Sequence, residues 1–405
     1  MKKVELLAPA GNLEKMINAF HFGADAVYMG GSRYNLRAFA DNFTDDELIE
    51  AVNYAHSIEK KVYITLNIIA HNEDLENMAD YIKFLDKINI DGVIVSDLGV
   101  FQMVKENSNI PISVSTQASN TNWMSVKMWR DFGAKRVILA RELSLNEIKE
   151  IKTKVPDVEI EVFVHGAMCI SISGRCLLSN YMAGRDANRG ECAHPCRWKY
   201  HLVEEKRPNE YFPISQDERG TYIMNSKDLC AIEFIDKIID SGVSSLKIEG
   251  RMKGIYYGAV TTKIYRQAID SYYQNFNFNP LWLEELGTIS HRNYTSGFYF
   301  NKADENSQNY STSSYTHTHK LVGKIIEIKE DYAIVEVRNQ MNTGDIVEIL
   351  RGDKDNLEYV IPEMINYKTL EKIETANPNH FIKIKLNEDV KINDLLRKKV
   401  NVTLH

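Results

Sequence analysis

The sequence predicts an α/β protein: a closed (β/α)8, TIM-like barrel carrying a Cys-rich insertion, followed by a small C-terminal antiparallel β-barrel domain. Three observations carry this. Short β-branched runs alternate with amphipathic helical runs over residues 1–275. A phrase recurs at helix ends, in Phe22-Gly23-Ala24-Asp25-Ala26-Val27 and Phe132-Gly133-Ala134-Lys135-Arg136-Val137, with Ser241-Gly242-Val243 as a shorter third copy. From Leu321 onward the apolar period becomes two, as in half-buried antiparallel strands.

The strand candidates are Val4–Ala8, Ala26–Met29, Val62–Leu66, Gly92–Ser96, Ile112–Ser115, Arg136–Leu139, Glu159–Val164 and Ser245–Ile248. Between them the helical period is visible in Leu48, Val52 and Ala55, and in Leu75, Met78, Ala79, Ile82 and Leu85. Thr44 with Glu47 and Ser144 with Glu147 are capping-box pairs, which satisfy orphan N–H groups at a first helical turn. A Gly suited to a left-handed helix end, then a strand, repeats as parallel strands with helical crossovers do. Eight such units fit a closed barrel better than an open sheet. Ala8-Pro9-Ala10-Gly11-Asn12 stands after the first strand where a dinucleotide fold would place G-x-G-x-x-G, so a dinucleotide site is not expected.

The seventh and eighth strands are separated by about 80 residues, far more than one crossover needs. The expected organisation is a barrel over 1–275 with the insertion at 165–230 above its C-terminal face, where such barrels build active sites. A polar linker follows at 276–318, with a hairpin around Tyr294–Phe300, and the small domain occupies 319–405. Asn342-Thr343-Gly344-Asp345 is one of its turns.

Apolar residues are 44% of the chain and charged residues 26%, the balance of an ordinary globular protein with ample core. The formal net charge of −7 excludes a general nucleic-acid coat but not a local basic patch. No run approaches the length of a membrane helix, and Glu5 and Pro9 interrupt any signal-peptide core. The expectation is a cytoplasmic protein with reduced thiols and no membrane partner.

All five cysteines fall in the insertion: Cys169-x6-Cys176-x15-Cys192-x3-Cys196, then Cys230. Thiolates are soft ligands suited to an iron–sulfur cluster or to zinc, although the spacing lacks the paired C-x2-C knuckles of a zinc ribbon. Buried structural thiols are the plain alternative. Between His165 and Tyr200 five Lys or Arg accompany two Asp or Glu, with Trp198 and Tyr200 nearby. Arg185 and Arg189 could grip phosphate and the aromatics could stack on an unpaired base; equally, the arginines could fold the loop down.

The strand ends add polar residues where a barrel mouth would lie. Arg37, Asn67, Gln117 and Arg141 are candidate substrate-binding groups, and His165, Glu249 and Arg251 are candidate catalytic groups. Against this, His165 could merely pin a loop, and Glu249 with Arg251 could be an ion pair closing the barrel. Neither Gly-x-Ser-x-Gly nor His-Glu-x-x-His is present, so no conventional hydrolase is visible.

Glu161-Val162-Phe163-Val164-His165-Gly166-Ala167-Met168-Cys169 and Ser173-Gly174-Arg175-Cys176-Leu177-Leu178-Ser179 resemble the signature of the collagenase-like peptidase family. The resemblance extends through Leu7–Asn12, Tyr34–Ala38, Ser115–Ala118, Ala140–Ser144 and Lys247–Lys253. Within that family the chain is most similar to the branch of prephenate-dependent tRNA uridine hydroxylation proteins. That implies hydroxylation of a wobble uridine to 5-hydroxyuridine in a tRNA anticodon loop, with prephenate, a small dicarboxylate, as co-substrate. It also implies a 4Fe–4S cluster held by Cys169, Cys176, Cys192 and either Cys230 or Cys196. The family's older name implies proteolysis, for which the motif assigns no catalytic pair, and a third possibility is a non-catalytic iron–sulfur scaffold for a partner hydroxylase.

Overall fold

The computed structural model describes residues 3–35, 42–168, 227–300, 317–386 and 389–400, with Ser179, Ala183, Arg185, Ala193 and the short strands Ser215–Asp217 and Gly220–Tyr222. Seven strands run in sequence: β1 (Glu5–Pro9), β2 (Ala26–Met29), β3 (Lys61–Leu66), β4 (Gly92–Val95), β5 (Ile112–Val114), β6 (Arg136–Ile138) and β7 (Glu159–Ala167). After β8 (Asp228–Cys230), β9 (Ser245–Ile248) pairs in parallel with both β7 and β1, which closes an eight-stranded parallel barrel. The expected (β/α)8 fold is present, and its strands lie within three residues of the ends read from the sequence.

Helices α1 (Leu13–His21), α2 (Asp45–Ser57), α3 (Met78–Lys87), α4 (Leu98–Asn107), α5 (Trp123–Phe132), α6 (Leu145–Lys154), α7 (Ile235–Asp240) and α8 (Ile255–Asn275) clothe the barrel. Both capping boxes form, at Thr44 with Glu47 and at Ser144 with Glu147. Gly23, Gly133 and Gly242 have φ of 102°, 110° and 85°, the left-handed region that lets the chain leave each helix at once for a strand.

The insertion leaves and returns at one place. β8 runs antiparallel to β7, with Asp228 opposite Ala167 and Cys230 opposite His165. Both of its roots therefore stand at the C-terminal end of the barrel strands.

Residues 276–300 are more ordered in secondary structure than a linker. Asn279 caps α9 (Pro280–Leu286), with Pro280 in its first turn and Trp282 and Leu286 buried in the barrel's core. The expected hairpin is replaced by β10 (Tyr294–Thr295), which pairs in parallel with β8.

The C-terminal domain is antiparallel, as expected, but among the described residues its sheet has no closing pairing. Strands β11 (His319–Lys329), β12 (Tyr332–Val337), β13 (Ile346–Leu350), β14 (Leu357–Val360), β15 (Met364–Asn366), β16 (Lys372–Ile373), β17 (Phe381–Lys385) and β18 (Leu395–Lys399) lie in the order β14-β13-β18-β11-β12-β17-β15-β16. Register shifts on the long β11, against both neighbours, mark the bulges that coil such a sheet over one apolar core without joining its edges.

Charged side chains join the two domains. His21 Nε2 lies 2.6 Å from Asp394, Lys324 and Arg338 both reach Glu14, and Arg397 grips Glu285 and Glu348. The His319 imidazole, 3.5 Å away, and the hydrogen bonds of Arg397 hold the Glu348 carboxyl down to about 2, against an ordinary 4.5. A carboxyl lowered on folding stabilises fully above its unfolded pKa, and that contribution is lost as pH falls from about 4.5 toward 2. Thermal unfolding across this window should show a steeper acid loss for the wild type than for Glu348→Gln. Superimposable acid limbs would remove the contact from the stability of the assembly.

Candidate functional site at the barrel mouth

Arg251 follows β9 and turns back into the barrel top, where it is buried. Its Nη1 donates to Thr65 Oγ1 at 3.0 Å and its Nη2 to Asn35 Oδ1 at 2.5 Å, while Asn35 is itself fixed by donating to the Gly31 carbonyl at 2.7 Å. A Cβ at Gly30 would stand 2.6 Å from Arg251 Nη1, so that glycine is the space the guanidinium needs. The loop after β2 and the end of β3 are thus shaped around one cation. Just past β3, Asn67 Nδ2 donates at 2.6 Å to Oε1 of Gln117, two strands further round, which also accepts from Ser115 Oγ at 2.9 Å; Ser96 Oγ ties to the Asn67 carbonyl at 2.9 Å. Arg141 donates to the Ala167 carbonyl at 2.6 Å and lies 4.0 Å over the Phe163 ring. Asn67, Gln117, Arg141 and Arg251 therefore all line the C-terminal end of the barrel.

His165 sits slightly apart, under the root of the insertion. Its ring is enclosed by Tyr257, Tyr265 and Tyr294, with centroids 5.5–5.9 Å away. Burial pushes its pKa down to about 3, so the imidazole is neutral at physiological pH. Tyr265 Oη donates to the Val164 carbonyl at 2.7 Å, accepts from Ala231 N–H at 3.0 Å and lies 4.0 Å from Cys230 Sγ. Burial also pushes the Cys230 thiol up to about 12. The Glu249 backbone meets this cluster: its N–H donates to the His165 carbonyl at 2.8 Å and its carbonyl accepts from Tyr257 Oη at 2.9 Å. Gly166, with φ of 113°, permits that approach, since a Cβ there would fall 2.6 Å from the Glu249 carbonyl oxygen.

Below the mouth the barrel carries a buried ionic network that the strand ends alone do not reveal. Arg136 bonds Glu5 at 2.7 Å, Glu161 at 2.9 Å and Glu159 at 2.9 Å; Lys247 Nζ bonds Glu161 at 3.0 Å. Burial raises the Glu161 carboxyl, but Lys247 and Arg136 outweigh it and hold the group ionised. A signal for it exists in the sequence: Glu161 and Lys247 occupy alternate positions of strands whose other faces are wholly apolar. Asn35 and Thr65 give no such signal.

Arg185 is half-buried, its N–H 3.4 Å from the Ser179 carbonyl. Arg37, Arg189, Cys169, Cys176, Cys192 and Cys196 lie outside the described residues. Among the described residues no His, Cys, Asp or Glu cluster is arranged for a metal, and no helix is long and apolar enough to cross a membrane.

The fold and mouth define a (β/α)8-barrel protein whose strand ends gather two arginines, Arg251 buried and Arg141 half-buried, with the amides of Asn67 and Gln117. The chain matches the model of Peptidase family U32 over residues 11–309 and that of the Peptidase family U32 C-terminal domain over 317–397, and it belongs to family U32. It is 41% identical to tRNA hydroxylation protein P1 of Bacillus subtilis, covering 98% of this chain and 95% of that protein. It is 40% identical to tRNA hydroxylation protein P of Escherichia coli, covering 91% and 90%. A collagenase of Porphyromonas gingivalis is 32% identical, covering 97% of each.

Proposed function

We propose that this chain is an RNA-modifying enzyme that hydroxylates the wobble uridine of tRNA to 5-hydroxyuridine, with prephenate as co-substrate. The observation that carries this is likeness along nearly the whole chain to proteins named for tRNA hydroxylation. The mouth supports it. Buried Arg251 and half-buried Arg141 are suited to the two carboxylates of prephenate. The amides of Asn67 and Gln117 offer donors and acceptors to a splayed-out base.

A 4Fe–4S cluster fits the donor set. Cys230 lies opposite His165 on the strand that delivers Cys169 four residues later, so the two sulfur-bearing segments start side by side. Cys169, Cys176, Cys192 and Cys230 would hold it, with Cys196 as the other choice for the fourth thiolate and zinc as the other metal. Bound there, the cluster would supply one-electron redox chemistry. The buried Cys230 thiol, held protonated by its surroundings, would become a thiolate only beside such a positive charge.

The test is nucleoside mass spectrometry of tRNA from cells with and without this gene. Loss of 5-hydroxyuridine and its derivatives on deletion is expected. Intact modification would leave the second reading, a peptidase, which the collagenase relative favours, or the scaffold. A further prediction concerns the insertion. Arg185→Ala and Arg189→Ala should each weaken tRNA binding at low salt and reduce the log–log salt slope by roughly 0.7 for each phosphate no longer neutralised, with little change in melting temperature. A lowered melting temperature with unchanged affinity would assign these arginines to loop folding.

A further inference from the structure

Gln117 turns one end of its amide inward at the mouth, and its neighbours decide which end. It lies on the short 3-10 turn Thr116–Ala118 at the C-terminal end of β5 and is half-buried. Ser115 Oγ accepts from the Gln117 backbone N–H at 3.4 Å, so the hydroxyl proton is what it has left to give, and Gln117 Oε1 lies 2.9 Å away. Asn67 Nδ2 donates to the same oxygen at 2.6 Å. An inverted Gln117 amide would turn its N–H2 group onto the Ser115 hydroxyl and leave that hydroxyl's own proton without an acceptor among the described residues.

The frame around this amide is tied down on every side. The Ala118 and Ser119 N–H groups donate to the Ser115 and Thr116 carbonyls at 3.0 and 2.9 Å. Thr116 Oγ1 donates to the Leu139 carbonyl at 3.0 Å, and Ser96 Oγ to the Asn67 carbonyl at 2.9 Å. The ends of β3, β4, β5 and β6 thus fix Gln117 before any ligand arrives. Both lone pairs of Oε1 are taken, whereas Nε2 donates to no group among the described residues. The mouth therefore offers a pre-set pair of N–H donors at this point.

We propose that Gln117 is a specificity-determining residue, whose Nε2 donates to the O4 oxygen of a uracil base and thereby rejects cytosine. This rests on the proposed reaction at uridine and adds the group that reads the base. At C4 uracil carries an oxygen acceptor where cytosine carries an amino donor. A fixed N–H2 group bonds the first and meets donor with donor at the second. Inversion of the amide, which would accommodate cytosine, breaks the bonds from Asn67 and Ser115. O4 also adjoins C5, so the same bond orients the edge of the ring that the proposed reaction modifies.

The test is binding of two synthetic anticodon stem-loops, identical except for uridine or cytidine at the wobble position, to the full-length protein purified anaerobically. The wild type should bind the uridine loop roughly tenfold more tightly, the size of one hydrogen bond exchanged for a donor–donor contact. Gln117→Glu keeps an oxygen toward Asn67 and Ser115 and turns a second oxygen outward, where it accepts from the cytosine amino group; the preference should pass to the cytidine loop. Repulsion between the added charge and phosphate acts on both loops alike, so it leaves the ratio unmoved. Gln117→Met, similar in length and without an N–H, should show no preference. A uridine preference undiminished in either variant overturns the proposal. Wild-type protein that binds both loops equally overturns it alone and leaves the nucleoside measurement standing, whereas wild-type protein that binds neither loop removes the tRNA reading with it.

Discussion

Replacing Glu161 by Leu is expected to destabilise the protein by about 3–5 kcal/mol, the cost of leaving buried cations without their counter-charge. Arg136 and Lys247 both lie on this one carboxylate, at 2.9 and 3.0 Å, and all three side chains are buried. Arg136 would keep Glu5 and Glu159, but among the described residues Lys247 makes no second ion pair. The lysine would then be forced toward its neutral form. Urea unfolding measures the effect. The exposed helical pair Glu150–Lys154 provides the contrast, since Glu150→Ala there should cost about 0.5 kcal/mol or less. A Glu161→Leu loss below about 1 kcal/mol would mean that the barrel centre is far better hydrated than its burial indicates.

The second large effect concerns the thiols. Anaerobically purified protein is expected to be brown, with about four iron and four sulfide per chain. Replacing Cys169, Cys176 or Cys192 by Ala should abolish the colour. Between the two choices for the fourth ligand, Cys230→Ala should abolish it and Cys196→Ala should leave it, because the β7–β8 register sets Cys230 beside the segment that runs into Cys169. Stoichiometric zinc without iron under anaerobic conditions would overturn the cluster, and colour retained in Cys230→Ala would transfer the role to Cys196.

The barrel is readable in the sequence because its strands carry dry, apolar outer faces and its helices end on glycines in a fixed phrase. Ala26–Met29 and Ser245–Ile248 can be placed to the residue for that reason. The helix at 280–286 cannot, since it is short and owes its existence to burying Trp282 and Leu286 against a distant part of the chain. The edges of the C-terminal sheet are likewise beyond a period-two pattern, which gives strands but not closure. At the mouth, residue type and strand end are enough to nominate Asn67, Gln117, Arg141 and Arg251. They cannot show that Gly30 exists to admit Arg251 or that Asn35 orients it, because those contacts join positions more than 200 residues apart. The ionic network is hidden differently: Glu161 and Lys247 look like interruptions of apolar strands until the barrel closes and gives them one shared interior.

The central claim is that this barrel mouth is where uridine is hydroxylated, and Arg251 is its most deeply seated cation. In cells lacking the gene, a wild-type copy should restore 5-hydroxyuridine in tRNA, while Arg251→Lys, accumulating to the same level, should not. A single ammonium cannot reach Asn35, Thr65 and a substrate carboxylate with the fork of a guanidinium. Full restoration of 5-hydroxyuridine by Arg251→Lys would contradict the account.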